Sequence, residues 1–309
     1  MPLLGAPTTR AHTPAAAEMN LRKAYLDFMN GLEKFYPKYY NVHGSNIKIE
    51  RDAVYAGVGT YQPLAEGEAP TYDSGQEAWT KSYTHVGRGL GIQVTKVAMQ
   101  DDPHGVVRSM TRQGGNIADM AGYTMERDSL DLFNTYLTSG TVYTAGGTAY
   151  SLLSTTHHRT DGGTWSNRPT NAMDLSIEAL EYMLSHWMVN QVNQRGQVLM
   201  TTPRLLLVGA NDGPLAERLL GTPSRPTSAD NDINIIRRRN LELVVHPLLT
   251  NDGRWLAFGP KEKTGLNYFE RWGPNVERWP DGDNGNLRLV GWYRESHGAT
   301  HVSNVWGSP

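Results

Sequence analysis

The sequence predicts an α+β fold, and three observations carry that prediction. A long helical period runs from Asp102 to about Thr138, short alternating or wholly apolar stretches fill much of the rest, and turn residues separate them. Glycine (32) and proline (17) supply those turns at roughly one residue in six. With 309 residues the chain suits one large domain or two ordinary ones, either able to bury a core without a disulfide or metal staple. Cysteine is absent, which excludes disulfide frameworks, cysteine-ligated zinc, iron–sulfur clusters and a cysteine nucleophile. With 29 basic and 31 acidic side chains the net charge is −2, too little positive charge for a dedicated nucleic-acid binder. Of the basic residues 21 are arginine, the type that favours planar contacts at interfaces. A mean hydropathy of −0.51 and apolar runs no longer than Leu205–Val208 argue against a membrane protein. No signal-peptide pattern is visible, so the chain reads as cytosolic when made.

Residues 1–17 read as a mobile arm. From Glu18 a helical pattern places Leu21, Tyr25, Phe28, Met29, Leu32 and Phe35 on one face and stops before Pro37. This short helix docks on its own body or on a neighbouring subunit. Asn46–Glu50 alternates, and a second β-like stretch runs from Thr80 to Val97. Between them, residues 63–77 lack any core-forming run, and Glu66, Glu68, Asp73 and Glu77 meet no base before Lys81. The simplest picture is a long two-stranded extension with an acidic tip, and an isolated hairpin of that length needs a partner to lie on. The bland alternative is an ordinary surface loop.

Asp102 as N-cap and Pro103 at the first helical position open the clearest helix. Its apolar positions run from Val106 through Ile117, Met125 and Phe133 to Leu137, a beam of about 54 Å. Gly114-Gly115 within it predicts a bend or a close contact. A glycine-rich turn (140–147) then leads to a short strand at Tyr150–Leu153 and a polar loop over 155–171. A second helix starts at a Ser176 cap and runs to near Gly196. Leu205–Val208 reads as a strand buried on both faces, followed by a short helix around Leu215–Leu220 and a loop through Asp230-Asn231-Asp232. Leu241–Val245 and Trp255–Phe258 are further strands. Leu266–Arg271 and Leu287–Tyr293 form a second hairpin around a tip at 281–285.

Chemistry is sparse. His157, His158 and Asp161 share a loop, but adjacent histidines in extended chain point apart, and no HExxH, GxSxG, Walker or GxGxxG element accompanies them. A polar loop is the stronger reading there than an enzyme site, and no catalytic, cofactor or metal residue is assigned. Arg237-Arg238-Arg239 reads as a solvated face or partner contact. Gly87, Gly89 and Gly91 line one face of a strand, which suits close backbone approach or flexing and not phosphate cradling.

The order of parts, namely arm, long extension, beam helix, α/β body, second hairpin and terminal strand, resembles the major capsid protein of tailed bacteriophages, with the Hong Kong 97-type fold. The Mu-type major head subunit group is the most similar. Local sequence follows the same order from about residue 20 onward. Glu66-Gly67-Glu68, Tyr72-Asp73 and Tyr83-Thr84-His85 resemble that group's extended loop, and Gly91–Thr95 with Asp101-Asp102 resembles the entry to its spine helix. Glu126 and Leu132-Phe133-Asn134 resemble that helix's end. Leu153–His157 with Ser166-Asn167 resembles its "…HP…SN" loop, where His158 here replaces the proline. Pro203, Leu205–Val208, Ala216, Leu219-Leu220, Asn231, Asn234 and Trp255-Leu256 continue the correspondence.

The resemblance implies a non-enzymatic shell subunit. It would have an arm (1–45), an extended loop (55–90), a peripheral domain (46–54, 91–149 and 256–293, with spine helix 102–138) and an axial domain (150–255 and 294–309). Such subunits assemble as hexamers and pentamers into an icosahedral shell enclosing phage double-stranded DNA, in the virion, after assembly in the host cytoplasm. Inter-subunit contacts are expected from Glu66, Glu68, Asp73, Glu77, Lys81, Asp283 and Asn284. Some relatives join a lysine to an asparagine between subunits, and Lys81 is the only lysine near the extension. Expected partners are further copies, a portal, packaged DNA held non-specifically and a decoration protein. About 45 residues precede the first expected strand, so a separate scaffolding protein is expected too. An encapsulin-like nanocompartment shell of the same fold is the alternative.

Overall fold

The computed structural model describes residues 14–97, 101, 110–224, 232–250, 253–280 and 286–309. Its largest sheet grows from alternation along Leu287–Ala299 (β13), where Leu287, Leu289, Gly291, Tyr293 and Glu295 are buried and the residues between them are more open. β13 pairs antiparallel with Leu266–Pro280 (β12) and with Val86–Val94 (β4), and Asn41–Gly44 (β1) adds to β12 in parallel. The second hairpin is therefore longer than expected, and a register shift between Glu270 and Asn275 bends β12.

Helix α3 (Met110–Ser129) packs on the buried face of that sheet. A Cβ on Gly291 would sit 2.5 Å from Ile117 Cγ2, so the glycine admits the helix. Helix α1 (Pro14–Gly31) docks on its own chain. It and the residues just beyond it cross α3 at two glycines: a Cβ on Gly115 would lie 3.0 Å from the Phe28 ring, and one on Gly122 would lie 2.5 Å from Leu32 Cδ1. Close contact, and no break in the helix, is thus what Gly115 serves.

Both helices end earlier than their periodicity implies, and tertiary groups end them. α1 stops at Gly31 instead of Pro37. Glu126 Oε1 on α3 then accepts the Phe35 N–H (2.7 Å) and starts a one-turn helix, α2 (Tyr36–Tyr39), with Pro37 in its first turn. The α3 helix stops at Ser129, and a single turn (Asp131–Asn134, α4) follows, short of the expected Thr138. Ser129 Oγ donates back to the Glu126 carbonyl (2.8 Å), and the Tyr40 hydroxyl donates to the Ser129 carbonyl (2.9 Å), taking the acceptor a further turn would use. The expected start at Asp102 lies outside the described residues.

The second sheet has the order β10 (Glu242–His246), β9 (Leu205–Gly209), β11 (Trp255–Phe258), β14 (Val305–Ser308), with β9 and β10 parallel and the other pairs antiparallel. β9 is buried on both faces, as expected. Leu205 and Leu207 enter one core with Phe258, Tyr39 and Phe133; Leu206 and Val208 enter a second with Trp187, Trp255 and Trp306. That second core is roofed by α5 (Ile177–Asn190) and α6 (Gly213–Gly221). Ser176 Oγ accepts the Ala179 N–H, so the expected cap holds, but α5 ends at Asn190. There the buried Gln191 amide turns to Val305 O and Asn304 N instead.

The strand expected at Tyr150–Leu153 is displaced: Thr148–Tyr150 (β6) pairs with Tyr143–Ala145 (β5) around left-handed Gly146 and Gly147. The stretch expected as one strand over Thr80–Val97 is divided at His85. Glu77–Thr84 (β3) pairs with Ile49–Tyr55 (β2), whereas Val86–Val94 belongs to the large sheet. The His85 ring sits between the hydroxyls of Ser45 and Ser296, each 2.9 Å away, and pins this crossing point.

Candidate assembly interface

β2 and β3 form the extension, and its root is bolted to the body. Thr300 Oγ1 donates to Asp52 Oδ2 (2.6 Å) and accepts from the Tyr83 hydroxyl (2.6 Å), while Asn267 Nδ2 donates to Asp52 Oδ2 (2.8 Å). Trp79 Nε1 donates to the Thr300 carbonyl, and its ring stacks on Tyr143 at 5.1 Å. Beyond Ala56 the picture reverses, because every residue from 57 to 77 is exposed. Val58, Tyr61, Leu64 and Tyr72 stand in solvent there, with Tyr61 fully exposed. An uncovered apolar and aromatic segment on a bolted base has the form of a surface awaiting a partner.

The residues singled out for contacts divide. Glu66 and Glu68 are exposed at the tip, where Glu68 Oε2 accepts the Ala65 N–H (3.0 Å). Glu77 accepts from Thr80 Oγ1 (2.5 Å). Asp73 is bound within its own chain by Gly59 and Arg195. Lys81 is half-buried, and its Nζ donates to the Val142 carbonyl (2.5 Å); burial lowers its pKa. Asp283 and Asn284 lie outside the described residues.

A second open surface lies on the side of the large sheet away from α3. Gly87, Gly89 and Gly91 stand opposite Arg294, Trp292 and Val290 in register. The Trp292 ring lies over Gly89, where a Cβ would approach it to 2.9 Å, so close approach is what Gly89 serves, while a Cβ on Gly87 would meet nothing within 4 Å. Trp279 lies 6.1 Å from Trp292, and the Arg294 guanidinium lies 5.5 Å above the Trp272 ring. These three tryptophans are 41–57% exposed, large rings that a lone subunit leaves wet. Sequence reasoning missed them; the signal was there in three tryptophans within one hairpin.

The histidine loop is braced by hydrogen bonds within its own chain. His157 is fully buried. Its Nε2 donates to Asn167 Oδ1 (2.9 Å) and its Nδ1 accepts from the Tyr143 hydroxyl (2.8 Å), which sets a neutral ring. Burial lowers its pKa to about 4. Asn167 also accepts the Ser154 N–H and donates to the Leu152 carbonyl, so the "H…SN" residues brace the loop. Asp161 turns away to pair with Arg159 at 3.0 Å. Among the described residues no three His, Asp or Glu side chains are placed to hold a metal ion. Replacing Asn167 by alanine strands two buried partners, His157 Nε2 and the Leu152 carbonyl, and the half-buried Ser154 N–H. It should cost about 3 kcal/mol in urea unfolding, against under ~0.5 kcal/mol for Asp161→Ala. Equal losses would remove the bracing role. Arg237, Arg238 and Arg239 lie exposed on a one-turn 3₁₀ helix, Ile236–Arg239, whose Ile236 is buried.

A long helix on a four-stranded sheet, a second sheet with its own core and a bolted but uncovered extension make up a Hong Kong 97-type fold, that of a structural shell subunit. The chain belongs to the phage capsid protein family, whose sequence pattern matches residues 77–299. No curated protein is similar enough in sequence to match. Solved structures share the fold at low identity. The Microbacterium phage Oxtober96 protein has TM-score 0.52 and 10% identity over 98% of this chain and 99% of that one. The capsid of cyanophage P-SCSP1u has 0.56 and 10% over 89% of each. The bacteriophage PhiM1 mature capsid has 0.56 and 11% over 89% and 86%. The chain is thus a major capsid protein, a component of the virion capsid.

Proposed function

We propose that the chain is a major head subunit of the Mu-type group, building hexamers and pentamers that close around packaged double-stranded DNA. The observation that carries this reading is the pairing of an uncovered extension with an uncovered tryptophan–arginine sheet face. The extension's acidic, tyrosine-bearing tip complements that face in charge and in aromatic character, so the tip of one subunit lies across its neighbour. The large sheet with α3 acts as the peripheral domain and the second sheet with α5 and α6 as the axial one. Assembly takes place in the host cytoplasm on a separate scaffolding protein and includes a portal. A decoration protein is a further candidate partner, and DNA contact is non-specific, in keeping with the net charge of −2. Co-expression with the scaffold followed by negative-stain microscopy should show closed particles. A monodisperse monomer under all assembly conditions argues against the reading, and particles filled with a cargo protein instead of DNA favour a compartment shell.

A further inference from the structure

The extension is held to its own body at a second place, out near the tip. Asp73 Oδ2 accepts the Gly59 N–H at 2.6 Å, which ties the outgoing and returning arms together. The Arg195 guanidinium reaches the same carboxylate, Nη1 to Oδ2 at 2.8 Å and Nη2 to Oδ1 at 3.3 Å, and Nη2 also donates to the Ser74 carbonyl at 3.1 Å. Arg195 lies 122 residues further along the chain and is presented by a braced turn. Val192 and Val198 bridge its ends, and Asn193 Oδ1 accepts the N–H groups of Arg195 and Gln197, both at 3.0 Å. Gly196 takes the left-handed φ of 78° that the turn requires. Gly59 fits the joint because it lacks a side chain: a Cβ there would lie 3.1 Å from Asp73 Oδ2.

We propose that Gly59, Asp73 and Arg195 form an intrachain clasp that sets the attitude in which the extension leaves its own subunit, so that it is pre-organised for the neighbour. The proposal rests on the reading of the extension as the arm that reaches a neighbour. Residues 57–77 are all exposed, so without the clasp the tip would sample many directions, and each capsomer contact would have to bear that ordering cost. In this proposal Asp73, paired within its own chain, acts on the neighbour through the direction it imposes.

The test compares wild-type subunits with Asp73→Ala, Arg195→Ala and the double variant. Chymotryptic cutting after the fully exposed Tyr61 is followed by mass spectrometry in free subunits, and particle formation by light scattering with the scaffold present. Each single variant should be cut roughly fivefold faster, and the double variant no faster than either single one. Assembly should slow by a similar factor while the thermal midpoint stays put. Unchanged cutting, or independent effects that multiply in the double variant, overturns the clasp, as does normal assembly kinetics despite faster cutting. Asp73→Asn, which keeps an acceptor for Gly59 but loses the charge, should fall between wild type and alanine. If the wild-type chain never assembles, the shell reading fails, and the cutting rates still decide whether the clasp exists.

Discussion

Subunits lacking residues 60–72 are expected to keep the wild-type unfolding midpoint and to form no closed shells. The deleted side chains are all exposed and belong to neither core, so their loss removes almost no buried apolar surface. The root stays bolted through Asp52, Tyr83, Thr300 and Asn267, and the backbone bond from Ala56 N to Gln76 O still closes the hairpin. Shortening a flexible loop by this much changes closure entropy by less than about 1 kcal/mol. What disappears is Tyr61, Leu64, Glu66, Glu68 and Tyr72, the exposed apolar and acidic groups of the tip. Calorimetry and negative-stain microscopy of the same preparation decide the matter. Closed shells from the truncated chain would place the assembly contacts elsewhere.

The second large effect concerns Glu295, on the buried face of β13. Both of its carboxylate oxygens lack a hydrogen-bond partner. Burial, followed by the neighbouring Asp128 carboxylate, pushes its pKa up to about 8, against the relief offered by Arg88; Glu126 adds a smaller push. Arg88 is engaged with Asp128, its Nη2 lying 2.6 Å from Oδ2. An ordinary glutamate in the unfolded chain titrates near 4.3. Between those values the folded chain holds a proton that the unfolded chain has released. Stability therefore falls as pH rises, by up to about 1.4 kcal/mol per unit. His157 has the opposite sign: with a folded pKa of about 4 its contribution is complete above about 6.5 and is lost as pH falls toward 4. Glu295→Gln should leave the acid limb unchanged and flatten the loss of stability between pH 5 and 8, as measured by urea unfolding at several pH values. Parallel curves for the two proteins would show that Glu295 does not carry the alkaline limb.

Much of the fold was legible because its signals are local. The Ser176 cap, the doubly buried Leu205–Val208, the strand Trp255–Phe258 and the hairpin around 281–285 each follow from residues within a few positions of one another. The candidate surface was half legible. Lack of an apolar run marked residues 63–77 as a segment with no core of its own, and the structure leaves it exposed. Which of its acids remain open was not legible. Asp73 is met by Arg195, far along the chain, and Lys81 turns inward to Val142. The open tryptophan face escaped notice because exposure is decided by which side of the sheet α3 covers, and Trp292 alone does not record that.

The sequence by itself determined the class of the fold, the existence of a long helix through 110–129 though not its far end, the exposed extension and the absence of any cysteine lock. Periodicity of apolar residues and turn chemistry are set by neighbours along the chain, and they need no knowledge of the rest. Tertiary structure alone decided where elements stop and whom they pair with. Glu126 starts the turn at Phe35 from 91 residues away, Tyr40 ends α3 from 89 residues away, and His85 divides one β stretch between two sheets. The physical reason is that a backbone N–H or C=O at an element's end must be satisfied by something, and here the satisfying group is brought in by the fold.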